Sequence, residues 1–107
     1  MSSGEQQRMI IARAFLRQTH LVVLDEATAH LDPITERKVL REVIEKTSGR
    51  SLLLISHRLV CMEEMDEILV MDQGKIIERG RHATLLDVGG YYRRMWELQG
   101  ELLTGTL

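Results

Sequence analysis

Cysteine is almost missing from this chain, and its lack excludes a whole class of scaffold: the single Cys61 cannot build an internal disulfide framework. Its apolar neighbours Val60 and Met62 mark a partly buried, inert thiol rather than a nucleophile. Long apolar runs are missing too. The longest, such as Leu21 to Leu24 and Leu52 to Ile55, fall far short of the ~20 residues a helix needs to cross a bilayer, so any membrane role is expected to come through a partner or another segment. Charge of one sign is not in excess: 14 Lys plus Arg against 16 Asp plus Glu give a formal charge of -2, no footprint for nucleic acid or an anionic membrane. Ser2, Ser3, Gly4 and Glu5 after Met1 offer neither the basic start nor the apolar stretch of a secretory signal, and the chain reads as cytoplasmic. No repeat or low-complexity linker is visible, and 107 residues hold at most one modest core.

What is present alternates between strand-like and helix-like segments. Ser2 and Glu5 fit the capping box S-x-x-E, and Met9, Ile10, Ala12, Ala14 and Phe15 then predict a helix from about Glu5 to Arg17. Leu21-Val22-Val23-Leu24, closed by Asp25-Glu26, is a short continuous apolar run of the kind expected of a strand buried on both faces in a parallel sheet. Asp32-Pro33 supplies an N-cap and a first-turn proline, and Val39, Leu40, Val43 and Ile44 carry a helix over Pro33 to Lys46 until Ser48-Gly49 stops it. Ser51 to Ser56 is a second buried strand, which completes a crossover unit expected to be right-handed. A short helical stretch near Leu59 to Met65 follows, then two strand-like runs, Glu67 to Asp72 and Lys75 to Arg79, about Gln73-Gly74, which predicts a hairpin. The tail holds helical pieces over Arg81 to Leu86 and Tyr91 to Leu98, the latter with Tyr92, Met95, Trp96 and Gln99 on one face. Met9, Met62, Met65, Met71 and Met95 are expected to fill core gaps.

Chemistry concentrates at strand ends. Asp25 and Glu26 directly follow an apolar strand, at the edge where parallel sheets bind ligands. Taken alone the pair more simply ends a strand and begins a solvated turn. His57, just beyond the second strand, belongs at that same edge by topology. His20, His30, His82 and Cys61 show no zinc-like spacing.

The ordered set Met1-Ser2-Ser3-Gly4-Glu5-Gln6-Gln7-Arg8, Leu21 to Glu26, Ala27-Thr28-Ala29-His30-Leu31-Asp32 and Ser56-His57-Arg58 resembles the ATP-binding cassette ATPases over nearly the whole chain, to about Gly100. That resemblance implies an α/β fold, part of a P-loop NTPase (RecA-like) domain: parallel strands with flanking helices plus a C-terminal hairpin and helices. All 107 residues would be its C-terminal part, from the signature motif onward. It implies Asp25 as the residue holding Mg2+, Glu26 as the general base for the attacking water, and His57 as the switch histidine on the γ-phosphate of ATP. The family signature L-S-G-G-Q maps onto Met1 to Glu5. Ser2, Ser3, Gly4 and Glu5 would meet the ATP of an opposite subunit at a helix N-terminus, with Ser3 in place of a glycine and Glu5 in place of a glutamine. Residues 29–32 take the place of the S-A-L-D loop, which would set Asp32 beside the partner's site, although a local cap explains Asp32 as well.

The phosphate-cradling pattern G-x-x-x-x-G-K-[ST] occurs nowhere: Gly74-Lys75 is followed by Ile76 and preceded by Leu69 where the first glycine belongs. The glutamine-bearing loop that senses a transport domain is not found either. The chain is therefore expected to be a fragment, inactive alone, with an open apolar sheet edge. The intact protein is expected to be an ATPase driving export. Its expected partners are a second ATPase subunit, head to tail, and a membrane domain fused upstream, and it would lie at the cytoplasmic face of the bacterial inner membrane without a nucleic-acid partner. Asp66 to His82 and Tyr91 to Gln99 resemble exporter cassettes. Residues 56–60 and 65–69 resemble most the bacterial exporters of thiol reductants (cysteine and glutathione) that serve cytochrome bd assembly. Two other readings stay open: an interaction module that docks on a complete cassette without hydrolysing ATP, and a soluble cassette ATPase.

Overall fold

A computed structural model describes residues 20–104, with side chains to residue 100. The expected first helix, over Glu5 to Arg17, lies outside the described residues, as do Ser2, Ser3, Gly4 and Glu5. The chain divides into two units, residues 1–60 and 61–107.

In the first unit, β1 (Leu21–Asp25) and β2 (Ser51–Ile55) pair in parallel, Leu21 against Ser51 through Asp25 against Ile55. The ladder runs on at both ends: the Ser51 amide donates to His20 O at 2.7 Å and the Glu26 amide to Ile55 O at 2.9 Å. Helix α1 (Pro33–Lys46) connects the strands, over the bounds read from the sequence. Asp32 is its N-cap, accepting from the Thr35 amide at 2.9 Å and the Thr35 hydroxyl at 2.7 Å. These bonds favour the ionised carboxylate and lower the Asp32 pKa from its ordinary 3.8. The cap's contribution is therefore present above pH 3.8 and is lost as pH falls through the lowered folded value.

Alternation decides the core. Val22 and Leu24 on β1 pack with Leu31 and with Val39 and Val43 on α1, while Ala27, Leu52 and Leu54 flank them. Among the described residues one face of these strands is covered. Helix α1 and the turn before it cover the face that carries Val22 and Leu24, while Leu21, Val23, Leu53 and Ile55, which alternate with the residues of that face, are 43–52% exposed in this chain.

In the second unit, β3 (Ile68–Asp72) and β4 (Lys75–Gly80) form the expected hairpin. Gln73 and Gly74 at its tip have φ of 50° and 75°, as a two-residue primed turn requires. The register slips between Val70, opposite Glu78, and Met71, opposite Ile76, so Ile77 is the extra residue of a bulge. Met71 is 60% exposed on this hairpin and fills no core gap, unlike Met62, which is buried. The helical stretch expected near Leu59 to Met65 shrinks to a 3-10 turn, Met62–Glu64. Cys61 before it is left-handed at φ 60° and Met65 after it is extended, so no longer helix can form. Cys61 itself is fully buried, in keeping with an inert thiol.

Helices α2 (His82–Val88) and α3 (Tyr91–Thr104) close this unit. Gly89, at φ 69°, ends α2 in a left-handed cap. Glu78 on β4 serves the first turn of α3, accepting from the Tyr92 amide at 2.7 Å, and a Cβ at Gly90 would collide with that carboxylate. Tyr92 is 1% exposed, and its hydroxyl pairs with His82 Nδ1 at 2.7 Å. The His82 ring meets Tyr92 and Trp96 edge-on.

Burial, reinforced by the charge of Glu63, pushes the Tyr92 pKa up to about 12 from 10.0. A raised folded value means that this contribution to stability is complete below pH 10 and disappears as pH climbs through about 12. Ultraviolet titration of tyrosinate is expected to show a phase near pH 12 that Tyr92→Phe removes. Persistence of that phase in Tyr92→Phe would contradict the assignment.

Candidate functional site

The parallel pairing of β1 and β2 brings their carboxyl ends level, Asp25 against Ile55. Residues that follow either strand therefore share one edge, and Glu26 and His57 do so in contact. Nδ1 of His57 hydrogen-bonds Oε1 of Glu26. Asp25 is the last residue of β1 and exposed. The structure thus gathers at one edge the three residues singled out there from the sequence.

Local geometry explains why Glu26 can reach. Its φ is 55°, in the left-handed region that a side chain with a Cβ rarely adopts, at a cost of order 1 kcal/mol. The amide that follows β1 stays in the ladder, donating to Ile55 O, while the backbone turns sharply and the side chain leaves the strand direction. On the other side Ser56 shapes the chain: its hydroxyl accepts from the Arg58 amide at 3.0 Å, a tight turn that spans His57. The His57 side chain is 91% exposed and that of Glu26 35%, so the pair stands open to a ligand from solvent.

Asp32 lies at the far end of the same turn and is bound to Thr35, so the local cap is present. Ser2, Ser3, Gly4 and Glu5 lie outside the described residues. In the second unit a cavity of about 580 Å³ is lined by Gly89, Gly90, Tyr91, Arg93, Arg94 and Glu97, and none of the site residues read from the sequence takes part in it.

One buried network centres on a residue not singled out from the sequence, Glu36, and joins it to residues of the quoted motifs. Glu36 in α1 is 1% exposed, yet it is a carboxylate. It takes the Thr28 hydroxyl on Oε2 at 2.8 Å and Arg58 Nη1 on Oε1 at 3.1 Å. Arg58 also donates to the carbonyls of Leu31, at 2.9 Å, and Ala29, at 3.0 Å. A signal existed: Glu36 falls three, four and seven residues before Val39, Leu40 and Val43, on the buried face of the helix. A charge there requires a partner. Helical spacing does not say which.

Among the described residues no group of three His, Cys, Asp or Glu side chains could hold a metal alone. Mg2+ does not ask for one. It keeps several waters and is commonly held by one or two carboxylates plus the phosphates of its substrate, so the exposed carboxylate of Asp25 at the strand edge fits such an ion.

The ABC transporter family model matches residues 1–29. The chain is 46% identical over 99 residues to ABC transporter B family member 6 of Dictyostelium discoideum, covering 92% of this chain and 15% of that protein. To the ATP-dependent lipid A-core flippase of Pseudomonas fluorescens it is 50% identical over 95 residues, covering 89% of this chain and 16% of the relative. Among solved structures it resembles a bacterial Atm1-family ABC exporter with ATP bound, at TM-score 0.80 and 40% identity, over 92% of this chain and 17% of that one. The fold is accordingly that of a P-loop NTPase, α/β with parallel strands and flanking helices. Over most of its length the chain is thus similar to the nucleotide-binding domains of ABC transporters of the exporter type. It spans about a sixth of the length of these relatives.

Proposed function

We propose that this segment carries the hydrolytic edge of an ABC exporter: in the intact protein, Glu26 and His57 act on ATP, and its hydrolysis drives transport across a membrane. The observation that carries this reading is the hydrogen bond between Glu26 and His57 at the carboxyl ends of two parallel strands. Glu26 takes a proton from the attacking water as general base. The imidazole of His57 holds that carboxylate and faces the terminal phosphate as a hydrogen-bond donor whose state is easily tuned. Asp25 would hold Mg2+, which would supply charge neutralisation at the phosphates.

The remaining roles follow from resemblance to the family. Ser2, Ser3, Gly4 and Glu5 close on the ATP of a second subunit, head to tail, with Asp32 beside that interface. A membrane domain is fused upstream, and the nucleotide-binding domain lies at the cytoplasmic face of the bacterial inner membrane. On the narrower reading the cargo is a thiol reductant, although nothing at this edge touches cargo. Flippases of lipid A-core stand among the relatives, so transport assays need both cargo classes.

These 107 residues contain no G-x-x-x-x-G-K-[ST] pattern, and the family's way of cradling the β- and γ-phosphates is lost without it. The isolated chain is therefore expected neither to bind MgATP nor to hydrolyse it, whereas the intact protein does both. Equilibrium binding of a fluorescent ATP analogue, measured for each, tests this. Tight binding by the isolated chain would overturn the division of labour. Binding of the chain to a complete cassette, with an intact protein that hydrolyses nothing, would favour the interaction-module reading.

A further inference from the structure

Arg58 follows His57 directly, but its side chain points back into the unit. Its guanidinium donates to Ala29 O at 3.0 Å, Leu31 O at 2.9 Å and Glu36 Oε1 at 3.1 Å. The first two acceptors lie in the turn between β1 and α1, and the third is the buried carboxylate of α1, whose other oxygen takes Thr28 from that same turn. One planar fork therefore ties the end of β2 to three points of the connection that follows Glu26. The His57 side chain is 91% exposed and hydrogen-bonded to Glu26, so the backbone of residues 56–58 sets where its ring can meet that carboxylate. That backbone is anchored by Arg58.

We infer that Arg58 is a positioning residue for the hydrolytic site: it locks the turn of residues 27–32 to the end of β2, and this lock sets the position of His57 relative to Glu26. The inference rests on the hydrolytic reading above. It does not make Arg58 a ligand of the nucleotide. A lysine at position 58 keeps a positive charge for Glu36 but is a single point donor and cannot span two carbonyls and a carboxylate in one plane. Stability and catalysis should therefore part company in Arg58→Lys.

The test uses the intact protein, with kcat and KM for MgATP and the thermal midpoint measured in Arg58→Lys, His57→Ala and the double variant. Arg58→Lys is expected to melt within about 3 °C of the parent. Its kcat is expected to fall about tenfold to a hundredfold, as for a misplaced catalytic group, with KM changed less than about twofold. In the His57→Ala background the same substitution is expected to change kcat by less than about twofold, because nothing remains to be positioned. Parental kcat in Arg58→Lys, with His57→Ala inactive, overturns the positioning role and leaves the hydrolytic reading intact. A loss that multiplies in full with that of His57→Ala also overturns it, since Arg58 would then act independently. If His57→Ala hydrolyses ATP at the parental rate, the hydrolytic reading of His57 falls and the inference falls with it.

Discussion

Glu26→Gln in the intact protein is expected to lower kcat for ATP hydrolysis by about 10²- to 10⁴-fold, the range a general base contributes. ATP affinity is expected to stay within about threefold, a change worth less than about 1 kcal/mol. The substitution is nearly isosteric. The amide side chain it introduces would keep an oxygen to face Nδ1 of His57, and the backbone at φ 55° is as tolerable for glutamine as for glutamate. What disappears is the carboxylate that accepts the proton of the attacking water. Single-turnover hydrolysis and equilibrium nucleotide binding separate the two effects: loss of turnover with retained binding supports the assignment, and undiminished hydrolysis removes Glu26 from the mechanism.

The second large effect concerns stability, and its asymmetry is the informative part. Arg58→Met takes the guanidinium away from the Glu36 carboxylate, which is 1% exposed, and leaves it the Thr28 hydroxyl. Breaking a buried pair from the charged side costs about 3 kcal/mol. The low end of the range applies because 42% exposure of Arg58 lets water compensate in part. Glu36→Gln, by contrast, retains an acceptor for Arg58 and a partner for Thr28 and is expected to cost about 1 kcal/mol. For an intact nucleotide-binding domain these values correspond to midpoint losses of roughly 6–12 °C and 2–4 °C. Differential scanning calorimetry of both variants checks the order. A Glu36→Gln loss as large as that of Arg58→Met would show that ionic pairing at Glu36 dominates over mere burial of an unpaired group.

Much of this architecture was legible because local rules and tertiary structure agree. Asp32-Pro33 states a helix start in two residues, and α1 has the predicted bounds. Gln73-Gly74 states a primed turn, and the hairpin closes on it. The edge that unites Asp25, Glu26 and His57 was legible from topology, since parallel strands align their carboxyl ends.

The misreadings have equally local causes. A continuous apolar run such as Leu21 to Leu24 cannot by itself say which element covers which face, and α1 takes the Val22 and Leu24 side. The left-handed backbone of Glu26 carries no signal, since glutamate does not prefer that region. Arg58 joins residues 22 to 29 positions away, and no periodicity links such distant partners. The bulge at Ile77 and the cap that Glu78 gives to α3 are likewise products of pairing register rather than of composition.

The central claim is that two strand ends present a carboxylate and an imidazole to one triphosphate. The most direct test is the structure of the intact Glu26→Gln protein trapped with MgATP. The account predicts the γ-phosphate within hydrogen-bonding reach of His57, the side chain of residue 26 next to the in-line water position and Asp25 on the side of the metal. A bound nucleotide whose terminal phosphate lies beyond reach of both His57 and residue 26 would contradict it.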